Sequence, residues 1–162
     1  MADDDKQVAH ILVESIYNAG VRVVYGIPGA KVDALFDTLS DHPEIHLVVC
    51  RHEQNAAFMA AATGRITGTP GVAIATSGPG AGNLTTGLVT ATTEGDPVVA
   101  IVGSVPRLLS TKHTHQSMRA LEILSPTAKS ATSIDVEDQV RELSGVAIPR
   151  KLKARDMRLR SQ

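Results

Sequence analysis

Two periods of hydrophobic spacing alternate along the chain. Apolar residues recur at helical spacing from Val8 to Ile16, which predicts a helix over residues 5–19. The β-branched run at residues 21–25 then predicts a buried strand. The alternation continues, with further helices predicted at residues 32–39, 55–65, 84–93 and 118–124, and further strands at residues 45–49, 72–75 and 97–102.

This alternation predicts an α/β fold, a mainly parallel sheet with helices on both faces. We expect one domain over residues 1–141, because the periodicity then fades and residues 142–162 predict an irregular or disordered tail. The helix at residues 84–93 is dense in Gly, Ala and Thr, and such small side chains are expected to let it lie close to the sheet. Ligands of parallel sheets bind beyond the carboxyl ends of the strands.

Composition and charge narrow the classes of partner. Of the 162 residues, 43% are hydrophobic but only 2% are aromatic, so base-stacking surfaces for single-stranded nucleic acid are not expected. Residues 1–149 hold 10 Lys and Arg against 16 Asp and Glu, whereas residues 150–162 hold six against one. Because a basic terminal stretch is usually solvated, we assign this tail no function and expect no nucleic-acid partner.

The sequence also predicts a cytoplasmic protein without a metal site of its own. Cys50 is the only cysteine, which excludes an internal disulfide and fits a reducing compartment. The N-terminal residues are acidic, and no apolar stretch reaches the ~20 residues of a membrane helix, so we expect neither a signal peptide nor a membrane partner. His113 and His115 have no third ligand nearby in the sequence, which favours a solvated loop.

Glu53 is the leading candidate for proton chemistry. It follows a predicted strand and precedes an alanine-rich helix, where Ala56, Ala57 and Ala60 would surround it with apolar surface. A carboxyl group desolvated in this way has a raised pKa and can exchange a proton near neutral pH. The alternative is a structural role at the helix N-terminus, where a negative charge complements the helix dipole. Position alone leaves both open.

Two glycine-rich segments also follow predicted strands. We call residues 26–29 the first glycine segment and residues 77–83 the second glycine segment. Backbone amides in such connections can hold an anion or the edge of a flat ring. The second segment does not fit the dinucleotide-binding pattern, because Asn83 stands where the third glycine is expected, and residues 26–31 are too short for a P-loop. Tight turns that need positive φ would explain some of these glycines.

Five segments, taken together and in this order, resemble the N-terminal pyrimidine-binding domain of the thiamine diphosphate-dependent enzymes. They are residues 25–30, 51–60, 76–84, 95–99 and 114–118. Within that family the chain is most similar to the acetolactate synthases, and its Thr-His-Gln-Ser-Met segment at residues 114–118 resembles the catabolic, flavin-free kind. Each segment alone is a weak signal, whereas five in the family's order are a strong one.

The resemblance implies a function and a set of site residues. It implies thiamine diphosphate as the cofactor, pyruvate as the substrate and 2-acetolactate as the product. Glu53 would hydrogen-bond N1′ of the aminopyrimidine ring and assist removal of the thiazolium C2 proton, and Gln116 would lie near the bound substrate. The positions implied to contact the cofactor are Gly26, Ile27, Pro28, Gly29, Glu53, Ser77, Gly78, Pro79 and Asn83.

The chain also departs from the family pattern. It lacks the Gly-Asp-Gly…Asn signature that holds Mg²⁺ and the diphosphate in a C-terminal domain of family members. The resemblance therefore implies that a homo-oligomer or a companion diphosphate-binding domain completes the site, and that the chain alone lacks catalytic power. Two alternatives stay open: a free-standing pyrimidine subunit of a two-subunit 2-oxoacid decarboxylase, and a non-catalytic oligomerisation module.

Overall fold

The centre of the fold is a strand with no polar side chain. In a computed structural model, which describes residues 2–109, 111–134 and 139–140, Gly71–Ala75 forms strand β3 and all five of its residues are buried. β3 lies in a four-stranded parallel sheet of order β2-β1-β3-β4. The other strands are β1 (Val23–Gly26), β2 (His46–Val49) and β4 (Val98–Val102). The parallel sheet predicted from the alternating pattern is confirmed.

In the described part of the chain, α-helices connect and cover these strands. They are α1 (Ala2–Asn18), α2 (Asp33–Ser40), α3 (Glu53–Thr67), α4 (Pro79–Asn83), α5 (Thr85–Glu94) and α6 (Ala120–Leu124), with short 3-10 helices at Arg107–Leu109 and Ser125–Thr127. None of the helices in the described part of the chain is long and apolar enough to span a membrane.

The two faces of the sheet are covered by different helices. Side chains alternate along a strand, so Val72 and Ile74 of β3 join the core formed with α1 and α2. Ala73 and Ala75 point to the other face and pack with the alanines of α3. The prediction of helices on both faces is therefore confirmed, with large aliphatic side chains on one face and small ones on the other.

The structure differs from the predicted elements in two segments that are rich in small residues. Residues 79–83 of the second glycine segment form the helical turn α4 rather than a loop. The helix of Gly, Ala and Thr residues, α5, makes its main contact with α3: a Cβ added at Gly87 would overlap Cβ of Ala57. Leu88 of α5 also joins the core that contains Ala73 and Ala75 of β3. Small side chains thus permit close approach without selecting a single partner.

The proposed boundary of the domain lies at the edge of the described chain. Val140 is buried in the core with α1 and α2, so the fold uses residues at least to this point. The predicted tail, residues 142–162, lies outside the described residues.

Candidate functional site

The candidate residues lie on the connections that follow the carboxyl ends of the four parallel strands. The first glycine segment begins with the last residue of β1, Glu53 lies four positions after the end of β2, and the second glycine segment follows β3. Gln116 belongs to the connection after β4. Contacts between these connections join them in pairs, so the sheet brings together side chains that are far apart in the sequence.

Glu53 is buried and hydrogen-bonded to the second glycine segment. Its side chain stands in the first turn of α3, and the residue is 9% exposed. The amide Nδ2 of Asn83 donates a hydrogen bond to Oε2 of Glu53 at 3.0 Å. Ala56, Ala57 and Ala60 on the following turns are fully buried, as the sequence predicts. Within the described residues, Lys and Arg side chains form no ion pair with Glu53.

His52, the residue before α3, caps the N-terminus of this helix. His52 has extended backbone, and its Nδ1 accepts a hydrogen bond from the backbone N–H of Gln54 at 3.2 Å. This is the usual contact of an N-cap side chain. The carboxylate of Glu53 is consequently not needed as the side-chain cap, although its charge still complements the helix dipole.

Gly29 and Gly80 both pack against Thr76, the residue directly after β3. A Cβ at Gly29 would lie 2.8 Å from Cβ of Thr76, and a Cβ at Gly80 would lie 2.9 Å from Cγ2 of Thr76. The same position at Gly80 is 3.2 Å from Oε1 of Glu53. Because both glycines lack a side chain, the first glycine segment, Thr76 and the start of α4 can all pack beside the carboxylate.

The segment with Gln116 lies against Gly78. Gly78 has φ +65°, and a Cβ there would be 2.8 Å from both Cα and the carbonyl oxygen of Gln116. Gln116 itself has φ 60°, which is uncommon for a residue with a side chain and costs about 1–3 kcal/mol. Such strained residues cluster at functional sites. The close contact with Gly78 places Gln116, with its strained backbone, next to the second glycine segment.

Unpaired hydroxyl groups are concentrated in this region. Among the described residues, the buried side-chain oxygens or nitrogens without a hydrogen-bond partner are Oγ1 of Thr76, Oγ of Ser77 and Oγ1 of Thr114. Most buried polar groups in folded proteins have a partner. Three orphaned hydroxyls in the segments that build the site are therefore consistent with a polar ligand.

Other residues named in the sequence analysis lie in the core or at the surface. Ile27 joins the core beneath α3, and its N–H bonds the carbonyl of Ile74, whereas Pro28 and Pro79 are exposed. His113 and His115 are also exposed. The described part of the chain contains no group of three or more His, Cys, Asp or Glu side chains that could hold a metal ion.

Thr76 and Gly80 are site residues that the sequence analysis does not predict. Both lie within residues 76–84, one of the five segments that carry the resemblance, but neither is among the positions implied to contact the cofactor. The available signal was position, because Thr76 is the first residue after a predicted strand, and ligand-binding residues of parallel sheets occupy such positions.

The arrangement provides a sheltered carboxyl group between closely packed backbone segments. A carboxyl with one amide donor keeps further capacity to accept a hydrogen bond or, when protonated, to donate one. The glycines beside it let the neighbouring backbone segments pack close to the carboxyl group. Chemically, such a carboxyl group can hydrogen-bond a polar group and hold or release a proton.

This fold and site are those of a cofactor-binding α/β domain, and the comparison with known proteins identifies its family. The family described as "Thiamine pyrophosphate enzyme, N-terminal TPP binding domain" matches residues 6–123. The chain belongs to this family, as the resemblance predicts.

Similar proteins carry names that narrow the family further. Acetolactate synthase of Bacillus subtilis is 56% identical over 131 residues, and the catabolic acetolactate synthase of Raoultella terrigena is 50% identical over 142 residues. A probable acetolactate synthase large subunit of Methanocaldococcus jannaschii is 35% identical over 134 residues. These matches cover 80%, 86% and 83% of this chain but 22%, 25% and 22% of the relatives. The chain therefore spans a quarter or less of the length of these relatives.

Proposed function

We propose that this chain forms the pyrimidine-binding part of the thiamine diphosphate site of an acetolactate synthase that acts on pyruvate. The observation that carries the proposal is the buried carboxylate of Glu53, which accepts a hydrogen bond from Asn83 and lies beside Gly80. The names of the relatives support the reaction, and the relative from Raoultella terrigena supports the catabolic kind.

The residues present fit an aminopyrimidine ring. Glu53 can hydrogen-bond a ring nitrogen. Because Gly78 and Gly80 carry no side chain, Gln116 and Thr76 can pack against the second glycine segment, with Gly80 beside Glu53. The unpaired hydroxyls of Thr76 and Ser77 offer further hydrogen bonds. When bound, thiamine diphosphate supplies the nucleophilic carbon that decarboxylation of a 2-oxoacid requires.

The role of Glu53 in this proposal is to hold or release one proton at its carboxyl oxygens. The apolar alanines around it keep water away, which strengthens its hydrogen bond to a ring nitrogen. Asn83 fixes the orientation of the carboxylate through Oε2, which leaves Oε1 on the side of Gly80. Gln116, held beside Gly78, would contact the substrate.

The diphosphate and Mg²⁺ belong to another part of the assembly in this proposal. The described residues lack a cluster of metal ligands, and Mg²⁺ is normally bound by carboxylates together with phosphate oxygens. A partner copy or a companion domain, in the cytoplasm with the rest of the enzyme, would supply them. The chain alone is then expected to bind thiamine diphosphate weakly and to have no activity.

A chimera tests the proposal. Residues 6–123 replace the matching part of Bacillus subtilis acetolactate synthase, and Glu53→Gln is compared with Glu44→Gln. The carboxylate of Glu44 is half-exposed and precedes β2, whereas Glu53 follows that strand. We expect Glu53→Gln to slow exchange of the thiazolium C2 proton about 10²-fold or more, the usual range for loss of a positioned acid or base. Cofactor uptake and folding should change little, since the amide has the same shape.

Two outcomes of this experiment would contradict the proposal, one for the role of Glu53 and one for the function as a whole. Exchange at the parent rate in the Glu53→Gln chimera would mean that Glu53 is only part of the helix N-terminus. A parent chimera that folds but takes up no thiamine diphosphate would contradict the proposed function as a whole.

A further inference from the structure

We propose that Thr76 is a positioning residue of this site, and that its hydroxyl gains a hydrogen bond only when a ligand is bound beside the first glycine segment. The inference deepens the proposed function and rests on it, because the ligand it concerns is the aminopyrimidine ring. Thr76 is not among the residues that the resemblance implies to contact the cofactor.

The contacts of Thr76 place it between two segments of the site. On one side its Cβ, Oγ1 and Cγ2 lie 2.8, 3.0 and 3.2 Å from the position of a Cβ at Gly29. On the other side its Cγ2 lies 2.9 Å from the position of a Cβ at Gly80, which is also the neighbour of the Glu53 carboxylate. One side chain therefore sets the separation between the first glycine segment and the start of α4.

The two branches of Thr76 have different surroundings. The methyl group Cγ2 is the branch nearest Gly80, so it packs on the side of Glu53. The hydroxyl Oγ1 is buried near Gly29 and has no hydrogen-bond partner. A valine would fill the same space without a polar atom, and an unsatisfied buried hydroxyl is a net cost to the folded state. Packing alone thus explains the methyl group but not the hydroxyl.

A ligand-dependent partner explains the hydroxyl. The backbone of Gly29 covers Oγ1, and a glycine-containing segment can change its backbone conformation at low cost. A ring bound next to Glu53 would shift this segment and bring a polar atom within reach of Oγ1. Ser77 and Thr114 carry the other unpartnered buried hydroxyls of the described residues, so the unsatisfied groups are concentrated where the ring would bind.

The test separates the two branches in the full 162-residue chain. Thr76→Val removes the hydroxyl and Thr76→Ser removes the methyl group. Thr127→Val is the control, because Thr127 is a buried threonine whose hydroxyl has a partner and donates to the carbonyl of Leu124 at 2.8 Å, whereas the buried hydroxyl of the partly buried Thr76 has none. Each variant is measured for its thermal midpoint without ligand and for binding of thiamine by NMR titration, with thiamine chosen because it carries the ring without the diphosphate.

We expect Thr76→Val to keep or raise the thermal midpoint while weakening thiamine binding about tenfold, the equivalent of one hydrogen bond at the upper end of the usual range. Thr76→Ser should bind thiamine within about threefold of the parent chain, because the hydroxyl is retained. Thr127→Val should lower the midpoint and leave thiamine binding unchanged.

Two results would overturn the inference while leaving the proposed function intact. One is a loss of thermal stability in Thr76→Val comparable to that in Thr127→Val, which would show that the hydroxyl is already satisfied without ligand. The other is thiamine binding by Thr76→Val as strong as that of the parent chain. If the parent chain shows no binding at millimolar thiamine, the inference is overturned, whereas the proposed function, which expects the chain alone to bind the cofactor weakly, is tested separately by the chimera.

Discussion

The two faces of the sheet are packed by opposite means. On the α1 and α2 face, large aliphatic side chains such as Ile16, Leu39 and Ile74 are fully or almost fully buried. On the α3 face the buried side chains are mostly alanines, and glycines bring backbone directly against backbone or Cβ atoms. Large side chains stabilise by burying apolar area, whereas small ones let main chains approach closely.

This difference explains why the site lies where it does. A carboxyl group such as Glu53 must be held within a few tenths of an ångström to work on a bound ring. Alanine has no side-chain rotamers to exchange, so the alanines packed on this face have no alternative side-chain conformations. In the proposed function, the aliphatic face stabilises the domain and the alanine face positions Glu53.

The largest expected effect compares adjacent residues of β3 that point to opposite faces. Ile74→Ala should lower the free energy of unfolding by about 2–5 kcal/mol, because it leaves a cavity in the aliphatic core. Ala73→Val should lower it by about 1–3 kcal/mol for the opposite reason, since the α3 face has no room for two more methyl groups. Urea unfolding of both variants measures the difference. A larger loss in Ala73→Val than in Ile74→Ala would contradict the division between the faces.

A smaller effect is expected where α5 meets α3. Gly87→Ala would place a Cβ on Cβ of Ala57, and overpacking of this kind costs about 1–3 kcal/mol. The gain in helix propensity from Gly to Ala, about 1 kcal/mol, offsets part of it. We expect a net loss of about 1 kcal/mol by urea unfolding.

The matched control for this contact is the size swap. Gly87→Ala combined with Ala57→Gly keeps the total volume and the number of helical alanines, so it should recover most of the lost stability. Additive losses in the double variant would show that the two residues are not in contact, because coupling is expected only between neighbours.

Several features of the molecule could be read from the sequence because they depend on local pattern. The strands, the helices on both faces and the place of Glu53 after β2 follow from periodicity and from the rule for parallel sheets. The helical turn α4 could not, because its glycines disfavour a helix and the turn forms through its tertiary contacts. The left-handed backbone of Gln116 and the packing of α5 on α3 also depend on neighbours that sequence spacing does not reveal.

Within the candidate site, too, features that follow from local spacing were predictable and contacts between distant segments were not. The alanines that bury Glu53 were predictable, since they follow it at helical spacing. The hydrogen bond from Asn83 and the position of Thr76 between Gly29 and Gly80 were not, because each joins residues on different connections. The proton-exchange role of Glu53 and the roles of the other site residues stay predictions.

The smallest expected effect probes whether the alanine face is closed to solvent, and it uses Cys50, which follows β2 and packs in that core. Burial raises the pKa of the Cys50 thiol, and its Sγ donates to the carbonyl of Val48 at 3.5 Å. Since only the thiolate reacts, iodoacetamide at pH 8 should alkylate the native chain at least about tenfold more slowly than the urea-unfolded chain.

The same raised pKa gives a small dependence of stability on pH. The unfolded chain ionises this thiol more readily, so the contribution to stability is complete below the ordinary thiol pKa of about 8.5 and is lost as pH rises through the higher pKa of the folded state. Cys50→Ala should flatten the fall in stability above pH 8.5 by less than about 1 kcal/mol.

Equal alkylation rates in the native and unfolded chains would show that the alanine face opens readily to solvent. The sheltered environment inferred for Glu53 on the same face would then be lost as well.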